Sequence, residues 1–334
     1  MVGISLLTLV PGELGGTETY ARELVRALGE HGELEYRVFR PGSDVPEYRV
    51  RRSIPGRLAE MTLAATRPGR IRRRLEAADA VHYPLTIALP EVRRPYAVTL
   101  HDVLHRDLPF PRAEGLFRRL AYDRSTRRAA LVIVPSAFTA ERSGLPDGRV
   151  RVVHHGIDHA RFTPDRGSRE PFLLYPARPW PHKNHARLFE AFALVRRERP
   201  ELRLVLTGGG HDPGPHPPGV EVRGLVSAEE LVRLYRRAAA LVFPSLYEGF
   251  GAPPLEAMAC GCPVACSNAG SLPEIVGDAA RLFDPRDPAE IALAVADVLD
   301  RPEEWSARGP ARAAGFTWEA AARGHEAAYR ELLA

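Results

Sequence analysis

Pro244-Ser245-Leu246-Tyr247-Glu248-Gly249-Phe250-Gly251-Ala252-Pro253-Pro254-Leu255-Glu256 follows a short apolar run, 240–243, and leads into an apolar helical pattern. The stretch reads as the exit from a buried strand, a glycine turn and the start of a helix. Glycine admits backbone dihedrals closed to other residues and lets a ligand approach the chain. Pro253 and Pro254 suit the first helical turn, where amide hydrogens have no partner. Free N–H groups and the helix dipole favour an anion there. Two carboxylates, Glu248 and Glu256, with seven residues between them, flank that anion site. Phosphate between two hydroxyl-reading acids fits a sugar nucleotide; a surface turn with unrelated acids is the plainer alternative.

The same strand–turn–helix alternation runs through all 334 residues. Strand-like runs fall at Val2–Val10, Tyr36–Phe39, Ala80–Tyr83, Tyr96–Leu100, Leu131–Val134 and Arg151–His155. Helical patterns fall at Thr17–Leu28, 57–77 and 114–129. A second series follows, with strands at 172–177, 202–206, 219–222, 240–243 and 263–266. Its helices fall at 184–198, 227–238 and Pro288–Asp300. This alternation predicts an α/β fold of two doubly wound parallel sheets. The expected division is a first domain over 1–162, a Pro/Gly-punctuated linker over 163–171 and a second domain over 172–316. A terminal helix, 317–334, is expected to pack back on the first domain, with Trp318 as a core anchor.

The chain holds one lysine, Lys183, against 45 arginines. In an arginine-writing composition a retained lysine points to a place that needs a compact, flexible ammonium. Lys183 and Arg178 follow the strand at 172–177 and precede a helix, where two cations can clamp a diphosphate. Pro11-Gly12-Glu13-Leu14-Gly15-Gly16-Thr17 puts a glycine loop between the first strand and helix, which presents amides to phosphate. It lacks the spacing of a dinucleotide fingerprint. Thr207-Gly208-Gly209-Gly210 also follows a strand; bordering the nucleotide and simply turning the chain both remain open.

No apolar run reaches the length of a membrane span, and Met1–Val10 reads as a buried strand with no basic leader. Cys260, Cys262 and Cys266 fit core thiols in a reducing cytoplasm better than a zinc site. His154-His155 and His182/His185 show no zinc-ligand spacing with a carboxylate or cysteine, so no metal is expected. Residues 1–166 carry 27 Arg against 20 acids, whereas residues 167–334 carry 19 Lys+Arg against 22. Nine arginines and one acid, Glu60, lie between Arg49 and Arg74. That segment is either a solvated face or a contact for anionic lipid or a phosphorylated acceptor. No nucleic-acid motif accompanies it.

With these motifs the chain resembles the retaining glycosyltransferases of family four. The resemblance is carried by the Gly15-Gly16 loop, His101-Asp102 at a strand end and His155-Gly156-Ile157-Asp158. Arg178 with Lys183, Glu248-x7-Glu256 and Gly270-Ser271-Leu272-Pro273-Glu274 complete it. The Lys183 region and the run 277–285 are most similar to mannosyltransferases of polysaccharide or glycolipid assembly. The resemblance implies a GT-B fold, two Rossmann-like domains with the active site in the cleft between them. It implies that Arg178 and Lys183 hold the donor diphosphate and that Glu256 reads the ribose. Glu248 with Gly249, Phe250 and Gly251 would meet the donor sugar, with Val226 lining the donor site. Gly15 and Gly16 would offer amides to the phosphate, and His101 would lie beside the transferred sugar, positioning a hydroxyl or acting as base.

The implied reaction moves a hexose, mannose favoured, from a nucleoside-diphosphate sugar to a saccharide or lipid-linked acceptor. It needs no metal and no cofactor. The base, GDP or UDP, stays open. The expected location is the cytoplasm, with peripheral contact to an anionic membrane and no nucleic-acid partner. A sugar-nucleotide epimerase of the same fold and an idle sugar-nucleotide-binding subunit are the competing readings.

Overall fold

Short runs of β-branched and apolar residues, buried on both faces, form parallel strands because each must be covered by helices on either side. In a computed structural model describing residues 1–12, 15–49, 54–109, 112–165, 167–210 and 214–334, twelve strands form two sheets, the inner ones of this buried kind and the edge strands partly exposed. The first unit comprises Met1–Gly156 and Trp318–Ala334. In order it contains β1 (Val2–Ser5), α1 (Gly16–His31), β2 (Tyr36–Phe39), α2 (Ile54–Thr66), α3 (Gly69–Leu75), β3 (Ala80–Tyr83) and β4 (Tyr96–Thr99). There follow α4 (Leu104–Asp107), α5 (Arg112–Arg128), β5 (Leu131–Val134), α6 (Ala137–Ser143) and β6 (Val150–Val152). Its sheet order is β2-β1-β3-β4-β5-β6, every pair parallel.

The second unit, Ile157–Thr317, contains β7 (Glu170–Pro176), α7 (His185–Glu198), β8 (Arg203–Thr207), β9 (Val220–Gly224), α8 (Ala228–Arg237) and β10 (Ala238–Phe243). It continues through α9 (Ala252–Ala259), β11 (Val264–Ser267), α10 (Leu272–Val276), β12 (Arg281–Phe283), α11 (Pro288–Asp300) and α12 (Pro302–Ala313). The sheet order is β12-β11-β10-β7-β8-β9, again all parallel. Both sheets are doubly wound. The strand order reverses between β1 and β3 in one and between β7 and β10 in the other. Loops leaving the carboxyl ends at such a reversal diverge and leave a crevice for a ligand.

The last helix, α13 (Trp318–Leu333), belongs to the first unit. A buried chain of hydrogen bonds fixes it there, and only one set of tautomers satisfies every member. His325 Nδ1 donates to the Ala321 carbonyl (2.7 Å), so its Nε2 accepts from the Tyr20 hydroxyl (2.7 Å). The Tyr20 oxygen accepts from Thr99 Oγ1 (2.8 Å), which accepts from His82 Nε2 (2.8 Å). His82 Nδ1 then accepts from the Tyr329 hydroxyl (2.7 Å). Burial holds both imidazoles below their ordinary range, His325 at about 4, so this neutral arrangement persists at pH 7. Trp318 is buried and stacks on His155 at 6.5 Å.

Several sequence expectations shift in detail. The strand expected over Val2–Val10 ends at Ser5, where the chain turns through Leu9 N to Leu6 O (3.0 Å). Leu6, Leu7, Leu9 and Val10 remain buried, so apolar composition alone could not mark the end. The helical stretch 57–77 is two helices, divided at Arg67-Pro68. In the basic segment Arg49–Arg74, Arg51 and Arg52 lie outside the described residues, Arg72 binds the Glu91 carbonyl, and Arg74 pairs with Glu47 at 2.8 Å. The strand expected over Arg151–His155 is Val150–Val152. Residues 163–171 lie inside the second unit, Glu170 and Pro171 already in β7, and Arg166 lies outside the described residues. β12, three residues at a sheet edge, and α12, which contains Gly309 and Pro310, carry too little periodicity to be read from sequence. Gly309 lets α12 approach α9 closely: a Cβ there would stand 3.0 Å from the Met258 carbonyl oxygen.

Candidate active site

The carboxyl ends of β7 and β10, neighbours in the sheet, launch the two loops that hold most of the expected site residues. From β7 the chain passes Ala177, Arg178 and Pro179 to a single 3-10 turn, Pro181–Lys183. Asn184 takes the left-handed conformation (φ 63°) that ends this turn. It is tolerated because the buried amide donates to Pro244 O (3.0 Å) and Pro285 O (2.7 Å). One side chain thereby ties the loop after β7 to the loop after β10. Leu246 N donates to His182 O (2.8 Å), and the Tyr175 hydroxyl donates to Lys183 O (2.5 Å).

These ties bring Lys183 and Glu248 together: Nζ donates to Oε1 at 2.6 Å, with both side chains about 15% exposed (15% and 14%). The expected phosphate cation and the expected sugar carboxylate are therefore one ion pair. Arg178 stands on the same loop, its guanidinium carbon 5.8 Å from the Trp180 ring centre. The Gly208-Gly209-Gly210 turn packs on this loop. A Cβ at Gly208 (φ +120°) would lie 2.8 Å from the Ala177 carbonyl carbon and 3.0 Å from Arg178 N. A Cβ at Gly209 would lie 3.8 Å from Arg178 Nε and 4.0 Å from the Leu225 side chain. Val226 is partly buried against the core of the second unit.

The 248–251 turn is shaped from the other side by Gly270-Ser271. A Cβ at Gly270 (φ +65°) would meet Glu248 N and O at 2.8 Å. Ser271, fully buried, places its single Oγ proton between Phe250 O (2.8 Å) and Glu248 O (3.0 Å), and its backbone N donates to Glu248 O (3.2 Å). Gly251 caps α9 with φ +103°, and a side chain there would run into Leu272. Gly249, Phe250 and Gly251 thus present a fixed turn. The two prolines subtract donors from the helix N-terminus, leaving Ala252 as the amide among its first three positions.

Glu256 lies one turn into α9. Its Oε2 accepts from the Tyr235 hydroxyl (2.9 Å), and Tyr235 is fully buried. Burial pushes the Glu256 carboxyl up to about 7, against the pull of Tyr235 and of the nearby Arg161 charge. Arg161 is held by Asp158 at 3.6 Å, in the turn that follows the His155–Asp158 motif. Tyr235, Asn184 and Ser271 are functional supports that the sequence reading missed. Asn184 directly follows Lys183, and Ser271 stands inside the quoted Gly270–Glu274 motif, where it was given no role of its own; Tyr235 is 21 residues away from Glu256, with no local signal.

In the first unit, His101 follows β4. Its Nε2 donates to Pro84 O (2.8 Å), which leaves Nδ1 as an acceptor. Burial lowers its pKa from the ordinary 6.5, and the Tyr20 ring meets it edge-on at 4.8 Å. Gly15 (φ +56°) caps α1 and Gly16 begins it; Glu18 N and Thr19 N bond back to Gly15 O. Glu13 and Leu14 of that loop lie outside the described residues. An open cavity of about 630 Å³ lies beyond the carboxyl ends of β1 and β2, lined in part by Leu6, Leu9, Arg22, Arg40 and Arg49.

The cysteines are core residues. All three are buried, and burial pushes the Cys260 and Cys262 thiols up to about 12 and 11. Among the described residues no three His, Cys, Asp or Glu side chains gather as metal ligands, and no helix is long and apolar enough to cross a membrane.

The profile of the family described as "Glycosyltransferase Family 4" matches residues 14–161, and that of "Glycosyl transferases group 1" matches residues 157–312. A D-inositol 3-phosphate glycosyltransferase of Frankia alni is 31% identical over 299 residues, covering 75% of this chain and 73% of that protein. The O-antigen chain mannosyltransferase B of Escherichia coli is 40% identical over 163 residues, 44% of this chain and 42% of that one. The MMP alpha-(1->4)-mannosyltransferase of Mycolicibacterium hassiacum is 34% identical over 203 residues, 56% of this chain and 49% of that one. The chain spans about half the length of these two mannosyltransferases. In fold it is similar to sucrose-phosphate synthase from Thermosynechococcus elongatus (TM-score 0.79, 21% identity, 99% and 98% of the chains). It is also similar to Anabaena HepE in complex with UDP and glucose (TM-score 0.72, 18% identity, 99% of each chain). Two Rossmann-like units, two adjoining family matches and the Frankia relative agree: this chain has the GT-B fold and belongs to glycosyltransferase family four.

Proposed function

We propose that this chain is a retaining hexosyltransferase. It moves a sugar, mannose in the favoured case, from a nucleoside diphosphate to a hydroxyl of a saccharide or lipid-linked acceptor, without a metal ion or cofactor. The observation that carries the reading is the Lys183–Glu248 pair at 2.6 Å, at the carboxyl ends of β7 and β10 beside Arg178. A cation there meets the departing diphosphate, and the carboxylate beside it meets the sugar that the diphosphate leaves.

The chemistry follows from where charge develops. As the anomeric C–O bond breaks, its electron pair stays with the diphosphate, and the sugar becomes oxocarbenium-like. Arg178 and Lys183 neutralise that growing charge from fixed positions, the kind of interaction that contributes most to such a step. The acceptor oxygen bonds to the anomeric carbon on the face the diphosphate leaves, and its proton passes to the leaving phosphate oxygen. Glu256 reads the ribose, and Val226 lines the donor site. Gly15, Gly16 and the turn 249–251 contribute amides. His101, with Nδ1 as acceptor, takes a hydrogen bond from a sugar hydroxyl. Mannose is favoured by the names of two relatives, the mannosyltransferases of E. coli and M. hassiacum. The proposed setting is the cytoplasm, with acceptor at the first unit.

Thermal unfolding against a panel of nucleotide sugars identifies the donor, because a ligand that binds only the native state raises the melting temperature. Product NMR with EDTA present throughout then reads the anomer. A retained anomer formed in EDTA supports the proposal. An inverted product, or activity lost in EDTA and restored by Mg²⁺, overturns it.

A further inference from the structure

Of the chain's three tryptophans, two are buried and one faces solvent. Trp305 and Trp318 are 6% and 7% exposed; Trp180 is 48% exposed. A half-exposed indole forgoes apolar burial that the other two gain. Trp180 stands in the loop after β7, two residues past Arg178 and three before Lys183. The one exposed tryptophan therefore belongs to the loop that holds both cations of the site.

The loop backbone is fixed around it. Trp180 N donates to Arg178 O (2.8 Å), and Lys183 N donates to Trp180 O (2.8 Å). Pro179 and Pro181 flank the residue. A following proline confines it to extended backbone, where it lies (φ −80°, ψ 148°). Pro179 rests on the Gly208-Gly209-Gly210 turn, since a Cβ at Gly210 would stand 3.0 Å from Pro179 Cδ. A ring presented on so fixed a backbone loses little freedom when a ligand settles on it. Two side chains stand beside the indole: the His182 ring at 5.6 Å, tilted by 41°, and the Arg178 guanidinium carbon at 5.8 Å. A cation beside an exposed ring contributes less than the burial forgone, so the contact with Arg178 does not account for a tryptophan here.

The reaction beside the ring says what can use it. In the hexosyltransferase reading the acceptor hydroxyl enters on the face the diphosphate leaves and gives its proton to the leaving oxygen. The acceptor's reacting sugar therefore lies against the diphosphate that Arg178 and Lys183 hold, and Trp180 stands beside Arg178. The donor hexose has its own partners, Glu248 and the turn 249–251. A pyranose carries hydroxyls around its rim and C–H groups on its face. That face packs on an indole and leaves the rim free for hydrogen bonds. We propose that Trp180 is the stacking platform for the pyranose ring of the acceptor, the ring that bears the attacking hydroxyl. This rests on the hexosyltransferase reading. It makes Trp180 a specificity-determining residue: the reacting hydroxyl belongs to a cyclic sugar with an apolar face, rather than to an open-chain polyol or the lipid phosphate itself.

Acrylamide quenching of tryptophan fluorescence reads Trp180 selectively, because the other two indoles are buried. Trp180→Phe is expected to remove the readily quenched component, which identifies it. In protein saturated with the donor's nucleoside diphosphate, methyl α-mannopyranoside, methyl α-glucopyranoside and methyl α-galactopyranoside serve as acceptor rings, with mannitol as the open-chain control. At least one pyranoside is expected to shield Trp180 from acrylamide, and mannitol is not. Calorimetric titration of that pyranoside is expected to show about tenfold weaker binding in Trp180→Ala, with a smaller loss in Trp180→Phe. The melting shift caused by the donor should persist in both variants. Three results overturn the proposal. No pyranoside shields the ring; or the shielding pyranoside binds Trp180→Ala as tightly as the wild type; or the nucleotide sugar alone shields the ring as fully as nucleoside diphosphate plus pyranoside, which gives the ring to the donor hexose. Each of these leaves the donor melting shift in place. The hexosyltransferase reading fails separately, if no nucleotide sugar shifts the melting temperature.

Discussion

Lys183 Nζ donates to Glu248 Oε1 at 2.6 Å, joining the residue expected at the donor diphosphate to the one expected at the donor sugar. The pair is mostly shielded from water, so each group sets the other's position. A diphosphate that enters beside Lys183 meets an ammonium already fixed by hydrogen bonding, which lowers the ordering cost of binding.

Lys183→Ala is expected to fold and to lose turnover by about 30- to 1000-fold, the effect of removing one charge-assisted contact to the leaving group. It is expected to cost about 1 kcal/mol of stability as well, because Glu248 is left without its partner. Steady-state rates at saturating donor, with a melting curve, check both. Unchanged turnover would falsify the clamp.

Glu248→Gln releases Lys183 from its partner. Affinity for the sugarless nucleoside diphosphate is expected to stay level or rise, while turnover of the intact donor falls. Glu256→Gln is expected to weaken both ligands alike, because both contain the ribose. Calorimetric titration of each variant with each ligand separates the roles. A Glu248→Gln protein that loses the sugarless ligand as strongly as Glu256→Gln does would sink the division.

Glu256 titrates at about 7, so donor affinity is expected to rise with pH between about 5 and 8 if the ionised carboxylate accepts from ribose hydroxyls. The intact donor is the right probe, since its diphosphate does not titrate there. Tyr235→Phe removes the 2.9 Å bond that favours the ionised form and is expected to move the profile to higher pH. Stability has the opposite sign. A carboxyl raised above its ordinary 4.5 stabilises the fold fully below that pH, and the contribution is lost as the pH climbs through 7. A donor-binding profile that is flat in wild type and unmoved in Tyr235→Phe refutes the role given to the carboxylate.

Gly270→Ala places a methyl group 2.8 Å from Glu248 N and O, at a φ of +65°. Either the turn 248–251 moves or the strain remains; a loss of roughly 2 kcal/mol in stability is expected. Activity should fall further than in a control at Gly144, which also has positive φ (+64°) but has nothing within 4 Å of its Cβ position. Equal losses at the two sites, read by denaturant unfolding and turnover, would show that the contact with Glu248 is immaterial.

The alternation of apolar runs with helical patterns was enough to read two doubly wound sheets, and Tyr36–Phe39, Ala80–Tyr83, Leu131–Val134 and Pro288–Asp300 match the strands and helix to the residue. Ala80–Tyr83 and Leu131–Val134 are legible because strands buried on both faces need apolar runs, Tyr36–Phe39 because an edge strand keeps an aromatic and apolar pattern around one exposed arginine, and Pro288–Asp300 because a cap such as Asp287, which accepts from Ala289 N and Glu290 N, marks a helix start locally. The lone lysine, the two spaced glutamates and the glycine turns were legible for the same reason: each is a local chemical requirement. Three things were decided only by the folded chain. Lys183 and Glu248 are 65 residues apart and meet because parallel pairing of β7 with β10 brings their following loops together. Tyr235 reaches Glu256 from a different helix, and only burial raises that carboxyl to about 7. Leu116, Phe117 and Leu120 look like core residues in the sequence; their exposure follows from which face of α5 the core of the first unit covers. Sequence carries what a residue needs from its neighbours along the chain; partners across the fold, and the water they exclude, are set by packing.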